Sequence, residues 1–158
     1  MQRNIGFSLI ELLIVVAIIL IIAALAIPSF LRSKIAANES ATAAAVRIIT
    51  SAQISYSSAY PSVGFSSSLA ALGGTSCSPP DPTSACIIDS ALATGQRSGY
   101  NFVVANVSGT PATSYNVIAT PSAYNSSGVR NFCSYEDSML RYSFNPITTC
   151  DNTITPQQ

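Results

Sequence analysis

The chain has 158 residues, of which seven are basic, seven acidic, four cysteine and none histidine; only 9% of it is charged. This balance offers no basic patch for nucleic acid, and the missing histidine excludes a Ser-His-Asp or Cys-His site and the commonest general base near neutral pH. The length accommodates one small domain behind any membrane segment, and no enzyme is expected.

Gly6-Phe7-Ser8-Leu9-Ile10-Glu11 opens an apolar run that continues through residue 27 without another charge. At about 1.5 Å per residue, residues 7–27 can just cross a hydrocarbon core of about 30 Å. Glu11 stands where such a segment least tolerates a charge, so it needs a partner charge and points to function. A secretory leader has its small-residue cleavage site after the apolar stretch, which is then lost. Here both Arg3 and the small residue Gly6 come ahead of it. A cut between Gly6 and Phe7 therefore removes residues 1–6, keeps the whole apolar segment and frees an amine at Phe7.

Gly6-Phe7-Ser8-Leu9-Ile10-Glu11-Leu12-Leu13-Ile14-Val15-Val16-Ala17-Ile18-Ile19, with Ala26-Ile27-Pro28 beyond, resembles the class III signal of type IV pilins and type II secretion pseudopilins. One departure is Leu20, where many members carry a helix-loosening glycine. The resemblance implies that a prepilin peptidase cuts at Gly6/Phe7 and methylates the Phe7 amine, and that Glu11 pairs with the amine of a neighbouring subunit during assembly. It implies an α+β pilin fold, with a long kinked N-terminal α-helix packed on a small antiparallel sheet of about four strands. The implied function is that of a structural subunit of a type IV pilus filament. Its partners would be other copies of itself, the prepilin peptidase, the inner-membrane pilus assembly machinery, and the membrane before assembly. The precursor would sit in a bacterial inner membrane and the mature chain in an extracellular filament. The alternatives are a pseudopilin of the periplasm or a minor pilin and, more remotely, a membrane-anchored binding domain that never polymerises and has no use for Glu11.

Farther along, Ala41, Ala45, Ile48, Ile49, Ala52 and Tyr56 share one helical face, so the periodicity predicts a helix over 7–58. Pro28 removes a backbone donor and should kink this helix rather than end it, with helix-forming sequence on both sides; it is counted with Phe7 and Glu11 among the assembly residues. Residues 59–158 form the head. Its connection over 61–99, the pilin αβ-loop, is too long to lie unordered in a compact domain. Ser68-Leu69-Ala70-Ala71-Leu72-Gly73 and Asp89-Ser90-Ala91-Leu92-Ala93-Thr94-Gly95 each read as a short helical turn within it.

Over 100–144 the period changes. Tyr100-Asn101-Phe102-Val103-Val104, Tyr115-Asn116-Val117-Ile118-Ala119, Val129-Arg130-Asn131-Phe132-Cys133-Ser134-Tyr135 and Met139-Leu140-Arg141-Tyr142-Ser143-Phe144 read as strands of an antiparallel meander. Tyr100, Phe102, Val104, Val117 and Ala119 should face the back half of the helix.

Four cysteines in an exported chain favour two disulfides over free thiols. Three pairings are open. The two local ones, Cys77–Cys86 and Cys133–Cys150, are preferred because each closes a segment otherwise hard to order, for about 2–3 kcal/mol apiece. The Cys133–Cys150 pair resembles the one that closes the pilin D-region, here 133–150, whereas major pseudopilins typically close that region with calcium. No cofactor or metal is expected: a zinc site would require all four thiolates, and Glu136-Asp137 reads as a solvated turn in preference to half of a calcium site with Asp151. Asn38-Glu39-Ser40, Asn106-Val107-Ser108 and Asn125-Ser126-Ser127 match a glycosylation pattern that arises easily in a serine-rich chain.

Overall fold

The computed structural model describes residues 8–74 and 77–157. The chain divides into two compact units, Met1–Lys34 and Ile35–Gln158. One helix, α1 (Leu9–Ala59), contributes to both and continues through Pro28. The strong helix formers on either side outweigh the single donor that proline removes.

In the second unit α1 buries Ala43, Ala45, Val46, Ile49, Ala52 and Tyr56. The buried face is rotated from the one the apolar spacing predicts. Ile48 is 45% exposed and Ala41 half-buried, whereas Thr42, Thr50 and Gln53 lie in the core. Each of these polar side chains has a partner. The Thr42 and Thr50 hydroxyls donate to the Asn38 and Val46 carbonyls at 2.8 and 2.9 Å. The Gln53 carboxamide donates to the Ser66 carbonyl at 2.9 Å and accepts from the Ser66 N–H at 2.8 Å. A polar group costs little to bury once it is hydrogen-bonded, and hydropathy spacing is blind to that.

Two short helices order the connection that follows. Ser68 caps α2 (Leu69–Leu72), its hydroxyl accepting from the Ala71 N–H, and Asp89 caps α3 (Ser90–Ala93) by accepting from the Leu92 N–H. Between them the Cys77–Cys86 disulfide closes its loop. The Tyr56 hydroxyl ties that loop to α1 by donating to the Pro82 carbonyl at 2.7 Å.

The sheet is an antiparallel meander of five strands in sequence order rather than about four. The added strand, β1 (Gln96–Arg97), pairs with the start of β2 (Tyr100–Gly109). Ser98 and Gly99, at φ 51° and 72°, both take the left-handed conformation that a two-residue hairpin requires. Next come β3 (Ala112–Pro121), β4 (Asn131–Tyr135) and β5 (Arg141–Ser143). Tyr100, Phe102, Val104, Tyr115, Val117, Ala119 and Phe132 share the main core with α1.

The opposite face of the sheet is covered as well. Ile118 and Cys133 form a second core with Ile147 and Cys150, closed by the Cys133–Cys150 disulfide. Asn116, on the same face, accepts from the Cys150 N–H at 3.0 Å. The last residues then run beside β5, the Tyr142 N–H donating to the Thr155 carbonyl and the Gln157 N–H to the Leu140 carbonyl.

Strand β4 begins two residues later than its apolar character predicts, and Glu39 is the reason. One carboxylate oxygen of Glu39 accepts the N–H groups of Val129 and Arg130 at 2.9 and 3.0 Å. The other accepts Arg130 Nε at 2.7 Å, with Nη2 also at 2.7 Å. The two N–H groups are thereby taken from any strand ladder. The side chain is only 7% exposed. Burial alone would raise its pKa, but the bonds from Val129 and Arg130 and the Arg130 charge outweigh this and hold it below its ordinary value.

Breaking this largely buried pair with Glu39→Ala is expected to cost about 3 kcal/mol, read by urea unfolding of the full chain in detergent. Because the folded carboxylate titrates below the unfolded value of 4.5, its contribution is complete above that value and is lost as pH falls through the folded one. Glu39→Gln should therefore flatten the acid limb of the stability–pH curve. Separately, the Cys133→Ser, Cys150→Ser double variant should lose about 3 kcal/mol. It should also exchange its Tyr142 and Gln157 amides faster, and unchanged exchange there would show that the disulfide does not hold the C-terminal segment.

Candidate assembly site

Leucine, isoleucine and valine dominate the start of α1 on every side, so no face of it is polar. The side chains lie open accordingly: Leu9 is 80% exposed, Leu25 76% and Ile27 66%. Among the described residues α1 is the one helix long and apolar enough to cross a membrane. Contiguous apolar surface of this extent marks contact with lipid or with protein.

Glu11 is the lone charge in this surface. Ser8 lies immediately ahead of the helix, and its backbone N–H donates to Glu11 Oε2 at 2.9 Å. This is half of a capping box, with the carboxylate in the first turn, where the helix dipole favours negative charge. A carboxylate offers about four acceptor positions, so this cap leaves room for a further donor. Gly6 and Phe7, the expected cleavage and methylation residues, lie outside the described residues, whereas Pro28 sits within α1 with its neighbours exposed.

Residues 1–27 match the family model of the prokaryotic N-terminal methylation motif. The chain carries the class III signal of type IV pilins and pseudopilins. The match covers Gly6, Glu11 and the apolar run through Ile27, and supports a pilin- or pseudopilin-like precursor, the signal implying processing by a prepilin peptidase. An apolar N-terminal helix behind that signal fits a membrane-anchored precursor. No curated protein matches the chain, and no solved structure does.

Several other charged residues, and the cysteines Cys133 and Cys150, are committed within the head. Asp137, in the turn between β4 and β5, takes Arg141 in a two-pronged ion pair, Nη1 to Oδ1 at 3.0 Å and Nη2 to Oδ2 at 2.6 Å. Burial would raise the Asp137 pKa, and the Arg141 bonds hold it below its ordinary value. Asp151 accepts from the Thr153 N–H and hydroxyl. Both carboxylates are thus committed locally, and among the described residues no three potential metal ligands gather. The Asn38 and Asn106 amides are also engaged, donating to the Ser127 carbonyl at 2.8 Å and to Asn116 Oδ1 at 2.7 Å. Glu39 also lies inside the Asn38-Glu39-Ser40 triplet. Its role as the fastener of the head had one sequence signal, a lone acid beside the small and apolar residues of a helical stripe.

Glu11→Gln keeps an acceptor for the Ser8 N–H, while Glu11→Ala removes it. Loss of an N-terminal cap costs about 1 kcal/mol, so the Ser8 amide of the alanine variant should exchange about fivefold faster in detergent than that of the glutamine variant. Equal rates would show that the cap does not hold the first turn.

Proposed function

We propose that this chain is a structural subunit of a type IV pilus filament, without catalytic activity. It is trimmed between Gly6 and Phe7 and polymerised through the apolar part of α1. The observation that carries this reading is the methylation motif over residues 1–27, because its cleavage point lies ahead of the apolar run and so preserves both that run and Glu11. Ahead of assembly the segment rests in the bilayer. In the filament the same surface is buried against other copies, and dispersion between closely packed helices replaces contact with lipid.

Glu11 supplies register. An ionised carboxylate in an apolar bundle is costly alone and is stabilised by an opposite charge in contact. The free amine at Phe7 of a neighbouring copy provides that charge, so a copy docked out of register leaves two charges unpaired. The Cys133–Cys150 closure of the C-terminal segment, with Asp137 committed to Arg141, supports a pilus subunit over a calcium-dependent pseudopilin.

The test is electron microscopy of sheared surface filaments with mass spectrometry of their main subunit. A chain beginning at methylated Phe7 in those filaments is expected; a processed chain confined to the envelope would mean a pseudopilin or minor pilin. Glu11→Ala and Glu11→Val should insert and be processed normally yet lower filament yield at least about tenfold, the penalty of roughly 1.4 kcal/mol or more for an unpaired charge. Normal filaments from either variant would overturn the role of Glu11. A bulky residue in place of Gly6 should leave the precursor uncut.

A further inference from the structure

The charges of the Ile35–Gln158 unit nearly all find partners within it. Among its described residues Arg97 pairs with Asp89, Arg130 with Glu39 and Arg141 with Asp137. Asp81 and Asp151 accept from the threonine two residues on. Among the described residues of this unit one charged side chain of each sign, Arg47 and Glu136, has neither ion pair nor hydrogen bond.

Each has exposed apolar neighbours. Arg47 borders an open groove of about 340 Å³ on the outer face of α1, lined also by Ile48, Ser51, Ala52, Ser55 and Ile87. Ile48 and Ile87 are 45% and 36% exposed. Glu136 stands in the turn between β4 and β5, three residues before Met139, which is 51% exposed. The two patches therefore match in kind: a cation beside a shallow apolar groove, and a carboxylate in the same turn as an exposed, flexible thioether side chain suited to filling such a groove.

We propose that these patches bind each other between copies. The β4–β5 turn of one subunit seats Met139 in the groove of the next, and its Glu136 pairs with Arg47 there. The inference rests on the filament reading and adds to it a contact outside the apolar helix. Because the two surfaces differ, the contact is heterologous. Every copy bound leaves one groove and one turn open at the ends, so repetition extends a helical array instead of closing a dimer. It also accounts for Ile48, an apolar residue on the expected core stripe that the subunit alone leaves in water.

Charge reversal in the full chain tests this. Arg47→Glu and Glu136→Arg should each leave membrane level and leader removal unchanged but lower sheared-filament yield at least about tenfold, as expected when like charges face across an interface. The double variant restores the pair in reverse and should return yield to within about threefold of the parent, the signature of direct coupling. A photo-crosslinking residue at position 48 should give a dimer whose joined peptide spans residues 136–139 of the other copy. Single variants with normal yield, a double variant no better than the singles, or a crosslink mapping elsewhere would each overturn the contact. An unmodified chain that forms no filament at all would instead sink the filament reading, so the two failures are distinguishable.

Discussion

The bonds received by the Glu39 carboxylate join parts of the head that are far apart in sequence. By accepting from the Val129 and Arg130 backbone N–H groups and from Arg130 Nε and Nη2, it fastens α1 to the entrance of β4. Neighbouring contacts depend on the same geometry. The Arg130 guanidinium, held by Glu39, lies 5.6 Å from the Phe132 ring centroid and 5.4 Å from that of Tyr142. The Arg130 carbonyl accepts the Tyr100 hydroxyl at 2.8 Å, and the same Tyr100 ring crowds Gly128 so closely that a Cβ there would fall 1.9 Å from its oxygen. Helix, first long strand and fourth strand thus meet around one buried charge. Such a charge is tolerable because its acceptor positions are filled.

Two carboxylates on one helix have opposite fates, and the contrast separates structure from function. Glu39 sits among groups that satisfy it. Glu11 sits on an exposed apolar surface, and among the described residues its one bond comes from the Ser8 N–H. That cap accounts for a glutamate in the first turn of a helix in general terms. It does not account for placing one next to a span of leucine and isoleucine, where the charge gains nothing from lipid. The capacity left over at Glu11 is what an intermolecular partner would use.

Both faces of the sheet are buried, and this explains the C-terminal chemistry. A meander with one face on α1 would leave Ile118 and Cys133 to solvent. The segment after β5 covers them with Ile147 and Cys150, and Asn116 of β3 accepts from its backbone at Cys150. The disulfide holds that cover in place. It limits the freedom of a segment with little regular structure, where backbone entropy would otherwise work against docking.

Much of this was legible in the linear chain because it depends on local chemistry. The apolar run ahead of Pro28, the position of Gly6 before it, the serine and aspartate that cap α2 and α3, and the alternating stretches of β2 and β3 all declare themselves through neighbours in sequence. The solitary Glu11 was visible for the same reason, since a charge in an apolar run stands out without reference to anything distant. Other features were set by partners far along the chain. Ile48 faces outward while Gln53 faces inward, because the Ser66 backbone beyond the end of the helix satisfies its carboxamide only in the fold. Strand β4 starts at Asn131 because Glu39, about ninety residues earlier, takes the two preceding N–H groups. Composition and spacing by themselves therefore determined the membrane-competent segment, its processing signal and the order of the helices and the four main strands, all governed by hydrophobicity and local propensity. Only the tertiary structure decided which polar groups could be buried and where β4 begins, because those outcomes depend on hydrogen bonds between residues that the sequence keeps apart.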